Sequence, residues 1–126
     1  MNRHEMREKL VFSVYQHILL KKDLFEQAEE NLGGELEEED RLYASDLLND
    51  LEENEEEYIR EINAHLVDWT FDRLNYVDQG ILLVAVSELK NGTLQKAVIV
   101  DEAIEIAKKY CDDDAFKYIN GVLDNL

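Results

Sequence analysis

The 126-residue chain contains no proline and five glycines. Both residue types interrupt helices, so their scarcity favours long uninterrupted ones. The single cysteine, Cys111, excludes an intramolecular disulfide framework and fits a reducing cytosol. No apolar run approaches the ~18 residues of a membrane span. The opening MNRHEMREKL lacks the apolar stretch of a secretory signal. Basic residues are few, 13 against 30 acidic ones, and the net charge of −17 argues against general nucleic-acid binding. What is present is 45% hydrophobic and 34% charged residues, the composition of a globular chain with the length of a single domain.

The charge is unevenly spread. Residues 1–22 carry a net +3, residues 23–63 a net −15 and residues 64–126 a net −5. A polyanion should therefore meet the N-terminus and be repelled by the middle.

Hydrophobic spacing predicts about seven helices and an all-α fold. In the first, Arg3 to Leu20, the residues Leu10, Val11, Val14 and Ile18 form one stripe. Arg3 and Arg7 continue that stripe. Unpaired arginine does not belong in a dry core, so the first turn or two are expected to project from the body with both guanidinium groups exposed. A short helix follows from Lys22 to Asn31, and Gly33-Gly34 breaks the chain. A third runs from Glu38 to Glu53 with Tyr43, Leu47 and Leu51 inward. Asn54, with Glu57 three residues on, predicts the cap of a fourth, with Ile59, Ile62, Leu66 and Trp69 inward.

The fifth helix, Asn75 to Lys90, contains the run Ile81 to Val86, apolar on all sides. A buried strand could also carry such a run, but it would have no partner strand, so a surrounded central helix is expected. The sixth, Ala97 to Tyr110, turns Ile99, Ala103, Ile106, Ala107 and Tyr110 to one face. Asp112, Asp113 and Asp114 are placed to cap a seventh, Ala115 to Asp124. Their spacing fails the calcium-loop pattern. His4, His17 and His65 show no ligand spacing, and no nucleophile–base pair or phosphate-binding loop is evident. The sequence thus points to no enzyme, cofactor or metal.

The stretch Trp69-x-x-x-Arg73-Leu74-x-x-Val77-Asp78-x-x-Ile81-Leu82-x-x-Ala85-Val86-x-Glu88-Leu89 resembles the NusB family of bacterial transcription antitermination factors. Val98-x-x-Asp101-Glu102-Ala103-x-Glu105-x-Ala107-Lys108-Lys109-Tyr110 and the ending Asp114 to Asp124 complete the pattern, and Arg7-Glu8 with Tyr15-Gln16 agrees with it. The resemblance implies two packed helical subdomains, here about 1–68 and 69–126. It implies binding of boxA-type single-stranded RNA together with the ribosomal protein NusE, within an RNA polymerase antitermination complex on ribosomal RNA operons. It also implies a cytoplasmic protein without enzymatic activity or cofactor, monomeric or homodimeric.

Carried over position by position, the resemblance places RNA contacts at Arg3, Arg7, Lys9, Tyr15, Gln16, Tyr110, Asp114 and Lys117, and the NusE face at Asp72 and Asp78. Each has an ordinary reading beside it. The basic residues can be plain surface charge, Tyr15 and Tyr110 can pack at the core edge, the Asp112–Asp114 run can cap a helix, and Asp72 and Asp78 can be solvated charge at a helix start. Asn120-Gly121 reads as packing, with Gly121 allowing a close helix approach. The sequence departs from the family pattern at His4 and Glu5, which replace arginines. Leu83 replaces an arginine, Gln95 a proline and Cys111 a glycine; at Cys111 a left-handed backbone would be strained. The thinned arm keeps an alternative in view, an acidic protein-interaction adaptor with RNA binding weakened or lost. A third, the RNA-recognition part of a ribosomal RNA methyltransferase, lacks a cofactor-binding domain.

Overall fold

The computed structural model describes residues 1–92 and 94–126. Six α-helices follow in order: α1 (Arg3–Leu20), α2 (Leu24–Leu32), α3 (Glu38–His65), α4 (Tyr76–Asn91), α5 (Lys96–Tyr110) and α6 (Ala115–Asp124), with one 3-10 turn at Phe71–Arg73 before α4. There is no strand among the described residues, and no helix long and apolar enough to cross a membrane.

Local chemistry sets several of the boundaries. Asn2, Asp23 and Asn75 accept hydrogen bonds from the amides of Glu5, Glu26 and Val77 and so cap α1, α2 and α4. Gly92, at φ +33°, ends α4 while its N–H donates to the Glu88 carbonyl.

The predicted break at Asn54 is absent, which reduces the expected seven helices to six. Asn54 lies inside α3, where its amide donates to the Asp50 carbonyl and carboxylate at 3.1 and 3.0 Å. The Tyr58 hydroxyl reaches the same carboxylate at 2.8 Å, and Ser87 of α4 reaches it at 2.7 Å. This network and an unbroken buried face, Leu47, Leu48, Leu51, Tyr58 and Ile62, carry the helix through. Its acidic tract, Glu52, Glu53, Glu56 and Glu57, lines the solvent side. Trp69, expected inward, lies beyond the helix end and is 53% exposed.

Helix α4 is the surrounded central helix the apolar run predicts: every residue from Asp78 to Ser87 is buried. It packs against α1, α3, α5 and α6. Leu83 is fully buried and extends the core. The close helix approach is at Gly80, not Gly121. A Cβ on Gly80 would stand 2.8 Å from the Val11 carbonyl of α1, whereas one on Gly121 would meet open space. Cys111 is extended, at φ −115°, so its replacement of glycine costs no strain. Buried side chains from all six helices form one apolar cluster.

Candidate nucleic-acid interface

The arginines of α1 are not the exposed arm the sequence suggests. The helical phase is as predicted, and Met6, Arg7, Leu10, Val11 and Val14 all face the core. Arg7 is 5% exposed because a partner waits there. Its Nε and Nη2 donate to the two carboxylate oxygens of Glu88 in α4 at 2.7 and 3.0 Å, and Nη1 lies 3.3 Å from Glu102 of α5. Burial opposes the charge of Arg7 most strongly, but the bonds to Glu88 together with the nearby Tyr43 and Glu102 raise its pKa on balance. Tyr43 of α3 donates to the same Glu88 oxygen at 2.5 Å, and its phenol is pushed up by burial and the adjoining carboxylate.

Arg3 stacks on the Tyr43 ring at 3.9 Å and pairs with Asp40 at 3.5 Å. His4, on the next face, bonds Glu102, which holds its imidazole above the usual range against the opposing effect of burial. The first turns of α1 are therefore bound into the body. Arg7 presents no free cation, and Arg3 presents a partly exposed, already paired one.

Beside this node the structure assembles an aromatic cluster. Phe12 and Tyr15 of α1 meet edge to face at 6.4 Å, and Phe12 meets Tyr110, at the end of α5, edge to face at 4.8 Å. Tyr110 is 40% exposed, which separates it from the buried face of α5 to which the sequence assigned it. Its hydroxyl donates to Glu8, as does Lys109 at 3.1 Å. Burial opposes the charge on Glu8, and these two donors prevail and lower its pKa. Lys109 lies 5.1 Å from the Tyr110 ring, and Lys108 5.7 Å from the Phe116 ring of α6. Phe12 is the member that sequence reasoning missed, although its i, i+3 spacing to Tyr15 placed both on one helix face.

The other expected contacts are scattered in character. Gln16 accepts from Asn31 of α2 at 2.7 Å. Lys9 is half-buried. Asp114 and Lys117 are exposed and paired with one another at 3.3 Å. The Asp114 side chain makes no capping bond to α6, so the expected cap is carried by backbone alone.

The two acids assigned to a protein partner divide. Asp72 is exposed and accepts from Thr70 at 2.6 Å. Asp78 is 3% exposed and accepts from Tyr118 of α6, so it is not the surface charge the sequence suggested. The helix N-terminus it occupies explains the choice of an acid, and the packed α6 explains its burial.

Folding also gathers His4, Glu102 and Glu105 so that one ligand atom of each lies within 4.8 Å of the others. Sequence spacing could not show this, since His4 and Glu102 are 98 positions apart. The imidazole already bonds Glu102, and the Arg7 guanidinium supplies that carboxylate with a cation.

A family model described as the NusB family matches residues 4–126. The transcription antitermination protein NusB of Exiguobacterium sp. (strain ATCC BAA-1283 / AT1b) is 37% identical over 131 aligned positions, covering 100% of this chain and 97% of that protein. That of Clostridium novyi (strain NT) is 32% identical over 130 positions, covering 100% and 98%. Against the longer NusB of Trichodesmium erythraeum (strain IMS101) the identity is 40% over 83 residues, 66% of this chain and only 40% of that one. The solved structure of T. maritima NusB superposes with a TM-score of 0.91 at 31% identity, covering 99% of this chain and 89% of that one. A chain from a crystal structure of antitermination factors NusB and NusE in complex with double-stranded RNA superposes with a TM-score of 0.85 at 26% identity, covering 98% and 93%. With a family model over residues 4–126 and full-length relatives at 37% and 32% identity, the chain belongs to the NusB family.

Proposed function

We propose that the protein is a transcription antitermination factor that binds boxA-type single-stranded RNA jointly with the ribosomal protein NusE, within an RNA polymerase antitermination complex acting in the cytoplasm on ribosomal RNA operons. Its work in that complex is binding rather than catalysis. Support comes from the family, and from a structural relative that is itself described in complex with NusE and RNA.

The observation that carries the reading is the Phe12–Tyr15–Tyr110 cluster with Lys109 over its edge. Stacked bases gain about 1–3 kcal/mol each on such rings, whatever the sign of the surrounding charge. Arg3 and Arg7, spent on Asp40 and Glu88, order α1 beneath the cluster rather than meet phosphate. In this reading Lys9, Lys109 and Lys117 supply the cations for the RNA, and Gln16 and Asp114 meet base edges. Asp72 remains for the basic NusE surface, where opposite charge speeds encounter and fixes register.

A titration of boxA-like RNA with and without NusE tests this. Tight binding is expected only with both proteins, and the Tyr110→Ala variant should bind about 10-fold more weakly, within the range of one lost stacking contact. An RNA-blind complex with NusE would instead establish the acidic adaptor.

A further inference from the structure

Asp78 stands apart from the other acids. The buried carboxylate of Glu88 is answered by Arg7, whereas Asp78, at 3% exposure, has no ion-pair partner among the described residues. It sits in the first turn of α4. The Tyr118 hydroxyl of α6 donates to one carboxylate oxygen, and the other has no hydrogen-bond partner of ordinary geometry. The Cys111 thiol, at the C-cap of α5, lies against the same carboxyl. One carboxyl group thus touches the start of α4, the end of α5 and the body of α6.

The turn between α5 and α6 needs such an anchor. Asp114, at the N-cap position of α6, makes no side-chain capping bond. Backbone bonds alone close the turn, from the Cys111 amide to the Ala107 carbonyl at 2.8 Å, from Ala115 to Asp112 at 2.9 Å and from Lys117 to Asp114 at 3.1 Å. Asp112, Asp113 and Asp114 are all solvent-exposed and repel one another. A buried carboxyl is a costly way to fill space, since an apolar side chain of similar size packs there without a desolvation penalty. What the carboxyl adds is direction, because the hydrogen bond from Tyr118 holds the start of α6, and with it the turn, in one register where apolar contact would let it slide.

We propose that Asp78 is a positioning residue for the RNA face: through Tyr118 and Cys111 it fixes the turn that carries Tyr110, Asp114 and Lys117. The inference rests on the proposed function for the identity of the ligand, and not for the anchoring itself. The acid that the family pattern would put on the protein-partner face thus serves the opposite task in this chain, from inside.

Two measurements on the full-length protein test it. Hydrogen exchange of the amides in 111–118, without RNA, should be about 10-fold faster in Asp78→Ala and in Tyr118→Phe than in the parent. It should stay near the parent rate in Asp78→Asn, which keeps an acceptor for Tyr118. Rates in α1 to α3 should not change. Tyr118→Phe removes one hydroxyl and no apolar volume, so it decides the matter if Asp78→Ala fails to fold. In the boxA-like RNA titration with NusE, Asp78→Ala and Tyr118→Phe should each weaken RNA binding about 10-fold and leave NusE affinity unchanged, with Asp78→Asn again near the parent. Parental exchange rates in 111–118 for Tyr118→Phe, or equal RNA affinity, would overturn the proposal. Failure of the parent itself to bind RNA would overturn the functional reading alone, and the exchange rates would still decide the anchor.

Discussion

Replacing Arg7 by alanine would leave the Glu88 side chain, 7% exposed, answered only by the Tyr43 hydroxyl. Breaking one side of a buried pair typically costs about 3–5 kcal/mol, far more than loss of a surface arginine. Urea denaturation of Arg7→Ala should show a loss of that size, and the double variant Arg7→Met with Glu88→Leu a much smaller one. The sequence showed half of this. Its 3.6-residue phase put Arg7 on the buried stripe, but the partner lies 81 positions away and no local pattern joins them. A second pair of groups answers to pH. Hydrogen bonds donated to Glu102 and Glu55 hold His4 and His17 above the ordinary imidazole value, against the desolvation that opposes them. The folded pKa is raised, so the stabilisation is complete below about 6.5, the unfolded value, and fades as pH rises through the folded one. His17→Gln should therefore lower the Tm at pH 5.5 more than at pH 8.5. Asp78 runs the other way. Burial raises its pKa, so the folded state favours the protonated form and loses that advantage as pH climbs above about 4. Asp78→Asn, measured against the parent, should look progressively more favourable between pH 4 and pH 7.

Helices α1 and α4 touch through Gly80, where an added methyl would meet backbone rather than a side chain that can turn away. Gly80→Ala should destabilise by about 1–3 kcal/mol, the usual cost of overpacking. Gly121→Ala, in the open part of α6, should stabilise by about 0.5–1 kcal/mol as backbone freedom is lost from the unfolded chain. Paired melting curves of the two variants would check both signs, the one for Gly121 being the reverse of what the sequence suggested. Elements with strong local signals were legible. The apolar run of α4 announced a surrounded helix, and Gly33-Gly34 marked a real boundary. The continuity of α3 was not, because Asn54 and Glu57 form a genuine capping pattern. What overrides it is the Asp50 carboxylate gathering Asn54, Tyr58 and the distant Ser87. The candidate site was legible to the same degree. Tyr15 and Tyr110 could be named from their helices, but their union through Phe12 depends on how α1 crosses the end of α5.

Most of the charge of −17 sits on the solvent side of α2 and α3. Like charges there repel within a Debye length, so raising NaCl from about 20 to about 200 mM should raise the Tm, the reverse of a protein stabilised by surface ion pairs. The same field keeps stray polyanions away, which suits a surface that grips bases by stacking. With the arginines of α1 spent internally, the RNA complex should lose affinity with salt at a slope of only about −2, the figure for roughly three neutralised phosphates on a single strand. The central position of α4 has one more effect, and it concerns birth rather than function. Helices α1 and α3 both turn oily faces toward a segment that leaves the ribosome after them. At about 5–20 residues per second, the nascent first half waits several seconds with those faces bare. Its own crowded acidic flank is then what keeps neighbouring chains apart until the missing centrepiece arrives.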